Sequence, residues 1–186
     1  MKYLVLFFIL HLSQSEKSEI NVVLKHCTCF KNDKYVEKMT SKRKPINRTT
    51  SITSMDIYFR PALELDAPLH VEFIANKKFT TQYRPFMVNL KYELCAALKF
   101  KNHPLYKIVF DNVNRTESNM LDPCPLKGHR FVKPYYTSYT KLPPLLPVGM
   151  WRTDVKVTKE LDNRIEEEVF RFHDYYEVTA KGIIEF

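Results

Sequence analysis

Alternation of apolar and polar residues constrains this chain more than any other feature. From Leu63 to Phe73 every odd position is apolar (Leu63, Leu65, Ala67, Leu69, Val71, Phe73), while Glu64, Asp66, His70 and Glu72 take even ones. Successive side chains of an extended strand point to opposite faces, so period two describes a strand with one face buried. Pro68 falls inside this run, where it sits at an edge or divides the run at a bend. Met55, Ile57 and Phe59 keep the same parity just before it, and Phe86, Val88, Leu90, Tyr92 and Leu94 repeat the alternation at even positions later. Trp151, Thr153, Val155 and Val157 form a fourth set, and Phe170, Phe172, Tyr176, Val178 and Ala180 a fifth. At least five strands are predicted.

One stretch departs from this rhythm. Leu94, Ala97 and Leu98, then Leu105, Ile108, Val109 and Val113 after Pro104, recur at three to four residues, which predicts a short helix or helix pair over 95–113. Pro123-Cys124-Pro125 and the segment from Pro143-Pro144 to Pro147-Val148-Gly149 read as stiff connectors. There is no Gly/Ser linker and no internal repeat. The expectation is one all-β domain, an antiparallel immunoglobulin-like β-sandwich with a short inserted helical segment.

The compartment is read from both ends of the chemistry. Met1-Lys2, the apolar run Tyr3 to Leu12, and Ser13-Gln14-Ser15 have the order of a signal peptide, predicting residues 1–15 as leader and 16–186 as the mature domain. About ten apolar residues cannot span a bilayer, which needs roughly 20 in a helix, so no stable membrane insertion is expected. An extracellular, secreted protein follows as the expectation. Asn47-Arg48-Thr49 and Asn114-Arg115-Thr116 then become glycosylation sites at Asn47 and Asn114. Four cysteines in an oxidising compartment allow three pairings. Cys95 with Cys124 is the expected disulfide, and the state of Cys27 and Cys29 stays open. His26-Cys27-Thr28-Cys29 lacks a second ligand pair at zinc-site spacing, so no metal is expected.

Function classes narrow by what the residues omit. Only 3 Gly are present, and neither a P-loop nor Gly-x-Gly-x-x-Gly occurs, so nucleotide cofactors have no support and no cofactor is expected. Neither Gly-x-Ser-x-Gly nor His-Glu-x-x-His occurs. His26, His70, His103, His129 and His173 are scattered in unlike contexts, and Glu166-Glu167-Glu168 reads as a solvated turn before a strand. The chain is therefore expected not to be an enzyme. The formal net charge is +8, with Lys38, Lys42, Arg43, Lys44 and Arg48 crowded together. Secretion sets nucleic acid aside as a partner. Such a cluster is ordinarily a solvated face, but Lys42, Arg43 and Lys44 are also candidates for an anionic lipid headgroup.

The motifs Tyr83-Arg84-Pro85-Phe86-Met87-Val88-Asn89, Leu94-Cys95, Asp122-Pro123-Cys124-Pro125, and Leu142-Pro143 through Pro147-Val148-Gly149-Met150-Trp151-Arg152 share an order with a known group. They resemble an insect secreted family once labelled only as a domain of unknown function and related to the ML lipid-recognition superfamily. The Trp151-Arg152 ending is most similar to its chemosensory class B branch. Where many members carry a cysteine shortly before the Asn-Arg-Thr triplet, this chain has Ser41. The resemblance implies an ML-like sandwich whose sheets part for a lipid or other hydrophobic small molecule, and a role in taste or pheromone response. Phe73, Phe86, Tyr92, Trp151, Phe170 and Phe172 are the inward aromatics that would line such a cavity. An aromatic stripe at strand spacing is also what an ordinary packed core looks like. The alternative is a secreted module that engages a membrane receptor or ion channel with no ligand inside.

Overall fold

The computed structural model describes residues 20–46, 51–66, 68–100, 118–137, 146–161 and 164–180. The expected leader, Asn47, Asn114 and the 101–113 part of the expected helical segment lie outside them. Within them run β1 (Ile20–Lys31), β2 (Val36–Pro45), β3 (Ser51–Phe59), β4 (Leu69–Phe79) and β5 (Gln82–Glu93). Helix α1 (Leu94–Phe100), β6 (His129–Thr137), β7 (Gly149–Glu160) and β8 (Glu166–Ala180) follow. All pairings are antiparallel. One sheet has the order β1-β8-β7-β4-β5 and the other β2-β3-β6. The expected all-β sandwich with one short helix is present.

The two sheets meet through the alternation that predicted them. Val36, Ile57 and Phe59 of the small sheet pack with Leu69, Val71, Val157, Val169 and Phe170 of the large one. Ile57, Leu69 and Val169 are no more than 1% exposed, and burying a side chain of this size stabilises a fold by roughly 1.5–3 kcal/mol. Pro68 divides the alternating run. β4 starts at Leu69, the Pro68 carbonyl accepts from the Glu160 amide at 3.1 Å, and Leu65 pairs separately with Leu126.

Two sequence expectations change. Glu166-Glu167-Glu168 is not a turn but the first three residues of β8, paired with Glu160, Lys159 and Thr158. Their charges are matched by neighbours: Lys91 to Glu166 and Lys34 to Glu167. The basic segment from Lys38 to Lys44 is strand β2, with Met39, Ser41 and Arg43 on the shielded side and Lys38, Lys42 and Lys44 exposed.

The connector before β6 is held by one side chain. Arg130, whose side chain is 8% exposed, donates to the carbonyls of Asn119 (2.7 Å), Asp122 (3.2 Å), Pro123 (3.0 Å) and Pro125 (2.9 Å). Cys124 in that loop forms the expected disulfide with Cys95 of α1.

Candidate functional site

The register of the large sheet fixes which inward side chains share a level. Val71, Val157 and Phe170 form one level across β4, β7 and β8; the next is Phe73, Val155, Phe172 and, on β1, Cys29. Ala75, Thr153, Asp174 and Cys27 follow, then Lys77, Trp151, Tyr176 and Leu24. A register shift between Leu24 and His26 turns Cys27 and Cys29 to the side of Asp174 and Phe172. The same shift puts His26 opposite Tyr175, on which it stacks at 4.1 Å.

These levels separate two apolar clusters. The first is the inter-sheet core, where Tyr92 and Phe172 pack with Phe170. The second gathers Val22, Ala75, Trp151 and Val178 with Ile20, Phe86, Val88, Leu146 and Tyr176. All of its strand residues come from the five-stranded sheet. Trp151 is fully buried there, edge-on to Phe86 at 5.4 Å, with its indole N–H donating to the Pro147 carbonyl at 2.9 Å. Of the six candidate lining residues, the structure thus joins Phe86 with Trp151, joins Tyr92, Phe170 and Phe172 elsewhere, and sets Phe73 between Val71 and Ala75 on β4.

A polar belt lies at the Asp174 level. Arg43 crosses from β2 and its Nη2 donates to Asp174 Oδ1 at 3.0 Å, while its Nε points to Thr53 Oγ1 at 3.4 Å. The Arg43 side chain is 9% exposed, and its Nη1 has no partner. Ser51, on the inward face of β3, also buries a hydroxyl with no hydrogen-bond partner, while the Ser41 hydroxyl on β2 hydrogen-bonds the Cys27 sulfur. Thr153 donates to the Tyr176 hydroxyl at 3.3 Å just beyond. Burial raises the Tyr176 pKa. The Cys27 and Cys29 sulfurs are 4.0 Å apart. The hydrogen bond to Cys29, then burial, pushes the Cys27 thiol up, and the same bond pulls Cys29 down.

Of the three headgroup candidates only Arg43 faces this belt; Lys42 and Lys44 are exposed on the other side of β2. Asp174, Ser41, Ser51 and Thr53 were missed by sequence reading. Asp174 alone left a trace, being the polar residue at an even position between Phe172 and Tyr176.

The outer face of the large sheet carries a different arrangement. A shallow groove of about 170 Å³ is lined by Glu72, Ile74, Asp154, Lys156, Arg171 and His173. Asp154 is gripped by Arg152 (2.6 Å) and by Asn76 (2.9 Å). Arg152 lies over the Tyr83 ring and Arg171 over Phe30, at 5.1 and 4.7 Å. Asp66 lies beside Cys95 and Cys124, but those sulfurs are joined to each other and are not free to ligate a metal.

A family model described as Protein of unknown function (DUF1091) matches residues 71–153. The matched stretch runs from Val71 in β4 to Thr153 in β7, and so contains Trp151, Phe86, Phe73 and Tyr92 together with the disulfide. No curated protein matches the chain.

Proposed function

We propose that the chain is a secreted binding protein that accommodates a lipid or other hydrophobic small molecule between its sheets, acting in chemosensation of lipid-like cues. One observation carries this reading. The second apolar cluster, around Trp151, draws its strand residues from one sheet alone and borders a polar level where Arg43, its side chain 9% exposed, crosses between the sheets to a half-buried Asp174. Shielding a guanidinium between sheets costs desolvation that well-packed apolar residues would avoid, so packing alone does not account for it. An interior that keeps apolar and polar groups at separate levels fits a site that orients an occupant. The Cys95–Cys124 disulfide agrees with an oxidising compartment, and among the described residues no helix is long and apolar enough to cross a membrane. The ML-like relationship and the chemosensory role rest on the resemblance.

Native mass spectrometry of the secreted protein, with organic extraction of what it releases, tests the reading. A defined apolar molecule in simple ratio is expected, with a rise in Tm on adding it back, because a ligand of the native state stabilises by mass action. An empty protein whose Tm no member of a lipid panel moves would overturn it. The outer groove favours the second reading, a module that docks on a receptor or channel, since Arg171 and His173 there sit against the exposed Phe30 ring, with Arg152 over Tyr83 on the same face.

A further inference from the structure

The charge count of the belt bears on what kind of headgroup could rest there. Asp174 at 3.0 Å already supplies the counter-charge of the Arg43 guanidinium. Lys42 and Lys44 are exposed on the opposite side of β2 and add no cation to the belt. A carboxylate arriving at Arg43 would face the half-buried Asp174 across the same guanidinium, so that two negative charges would share one shielded cation, which is costly. The remaining polar capacity is of another kind. Arg43 Nη1 is buried without a hydrogen-bond partner, and buried polar groups normally find one. An N–H donor of a guanidinium already neutralised by Asp174 matches an uncharged oxygen acceptor.

Resting on the carrier reading above, we infer that the belt selects a neutral, oxygen-bearing apolar ligand, an ester, ketone or alcohol, over both the free fatty acid and the plain hydrocarbon. The oxygen accepts from Arg43 Nη1. The hydrocarbon part lies against the neighbouring Trp151–Phe86 cluster, one level along β7 and β8 from Asp174. An ordered water can satisfy the same donor when no ligand is present.

The test uses the delipidated, glycosylated protein and three probes of one chain length: a methyl ester, the free acid at a pH where it is ionised, and the alkane. The ester is expected to bind about tenfold or more tightly than the acid, the scale of two negative charges sharing one shielded cation. It should also bind several-fold more tightly than the alkane. Asp174→Asn keeps the size and the acceptor facing Arg43 but frees the cationic charge, so the ester-to-acid ratio should fall to about one or invert. Arg43→Gln should bring the ester down toward the alkane. Far-UV circular dichroism and Tm establish that each variant is folded, and the ratios are read only as comparisons among probes on one protein.

An acid that binds wild type as tightly as the ester, or a ratio that Asp174→Asn leaves unchanged, overturns the inference. An alkane that binds as tightly as the ester overturns it too while leaving the carrier reading standing. Failure of all three probes to bind overturns this inference, while the carrier reading stands or falls on the native mass spectrometry and lipid panel above.

Discussion

Arg130 shows how much one side chain can organise. Its guanidinium reaches four carbonyls spread from Asn119 to Pro125, in a loop with no regular ladder of its own to satisfy them. Arg suits this because its planar fork presents five donors in fixed directions. Burial pulls its pKa down, opposed by nearby Asp122, and the four carbonyl dipoles face the charged form. Arg130→Ala should lose about 3 kcal/mol or more, since several buried acceptors lose a charged donor at once. Arg130→Lys should lose less, keeping the charge and some of the donors. Urea unfolding of the three proteins checks this; a loss for Arg130→Ala no larger than that of an ordinary surface substitution, about 0.5 kcal/mol, would show that the loop is held by the disulfide instead.

At the scale of elements, the legible strands were those whose buried face is apolar: β3, β4, β5, β7 and β8 all announce themselves by Val, Leu, Phe or Trp at one parity. β2 alternates just as regularly, but its inward residues beyond Met39 are Ser41 and Arg43, so a hydrophobic pattern cannot see it. β1 is hidden by its register shift, which changes the buried parity between Leu24 and Cys27. β2 brings Arg43 and Ser41 to the polar belt and β1 brings Cys27, so part of the candidate site was hardest to read where it is most unusual. The helix start was visible only as a change of period. Its cause is Glu93, whose carboxylate accepts from the amides of Cys95 at 3.1 Å and Ala96, and from the Leu69 amide at 3.3 Å. Glu93 thus caps α1 and ties it to the start of β4, two tasks that propensity does not encode. Glu93→Ala should cost about 1 kcal/mol, and Glu93→Gln, which keeps an acceptor, a fraction of that. Thermal unfolding followed by circular dichroism measures both, and equal losses would mean that charge at the helix start, not hydrogen bonding, is what matters.

The whole molecule is basic, and acid adds to that burden unevenly. On the outer face of the large sheet, His173 lies 3.7 Å from Asp154 and packs against Phe30 and Tyr175, with Arg152, Arg171 and Glu168 around it. Burial holds its pKa below the usual 6.5; Asp154 pulls the other way, while Arg152 and Arg171 reinforce the lowering. The folded protein therefore takes up this proton at lower pH than the unfolded chain does. Stability from His173 is complete above about 6.5, declines as pH falls through the interval down to the folded-state pKa, and is level below it. Glu166 and Glu167, whose carboxyls are held low chiefly by hydrogen bonds from Lys91 and Lys34, lose their contribution only further down, below the ordinary 4.5 of a glutamate. The two losses begin at different pH, near 6.5 for His173 and near 4.5 for the glutamates, and can be assigned by their onsets. Unfolding free energy measured between neutral pH and the onset of carboxylate protonation should decline for the wild type and stay nearly flat for His173→Gln, which cannot take up the proton. A decline of equal slope in both proteins would place the acid sensitivity elsewhere, and the outer face would then hold His173 without reading pH through it.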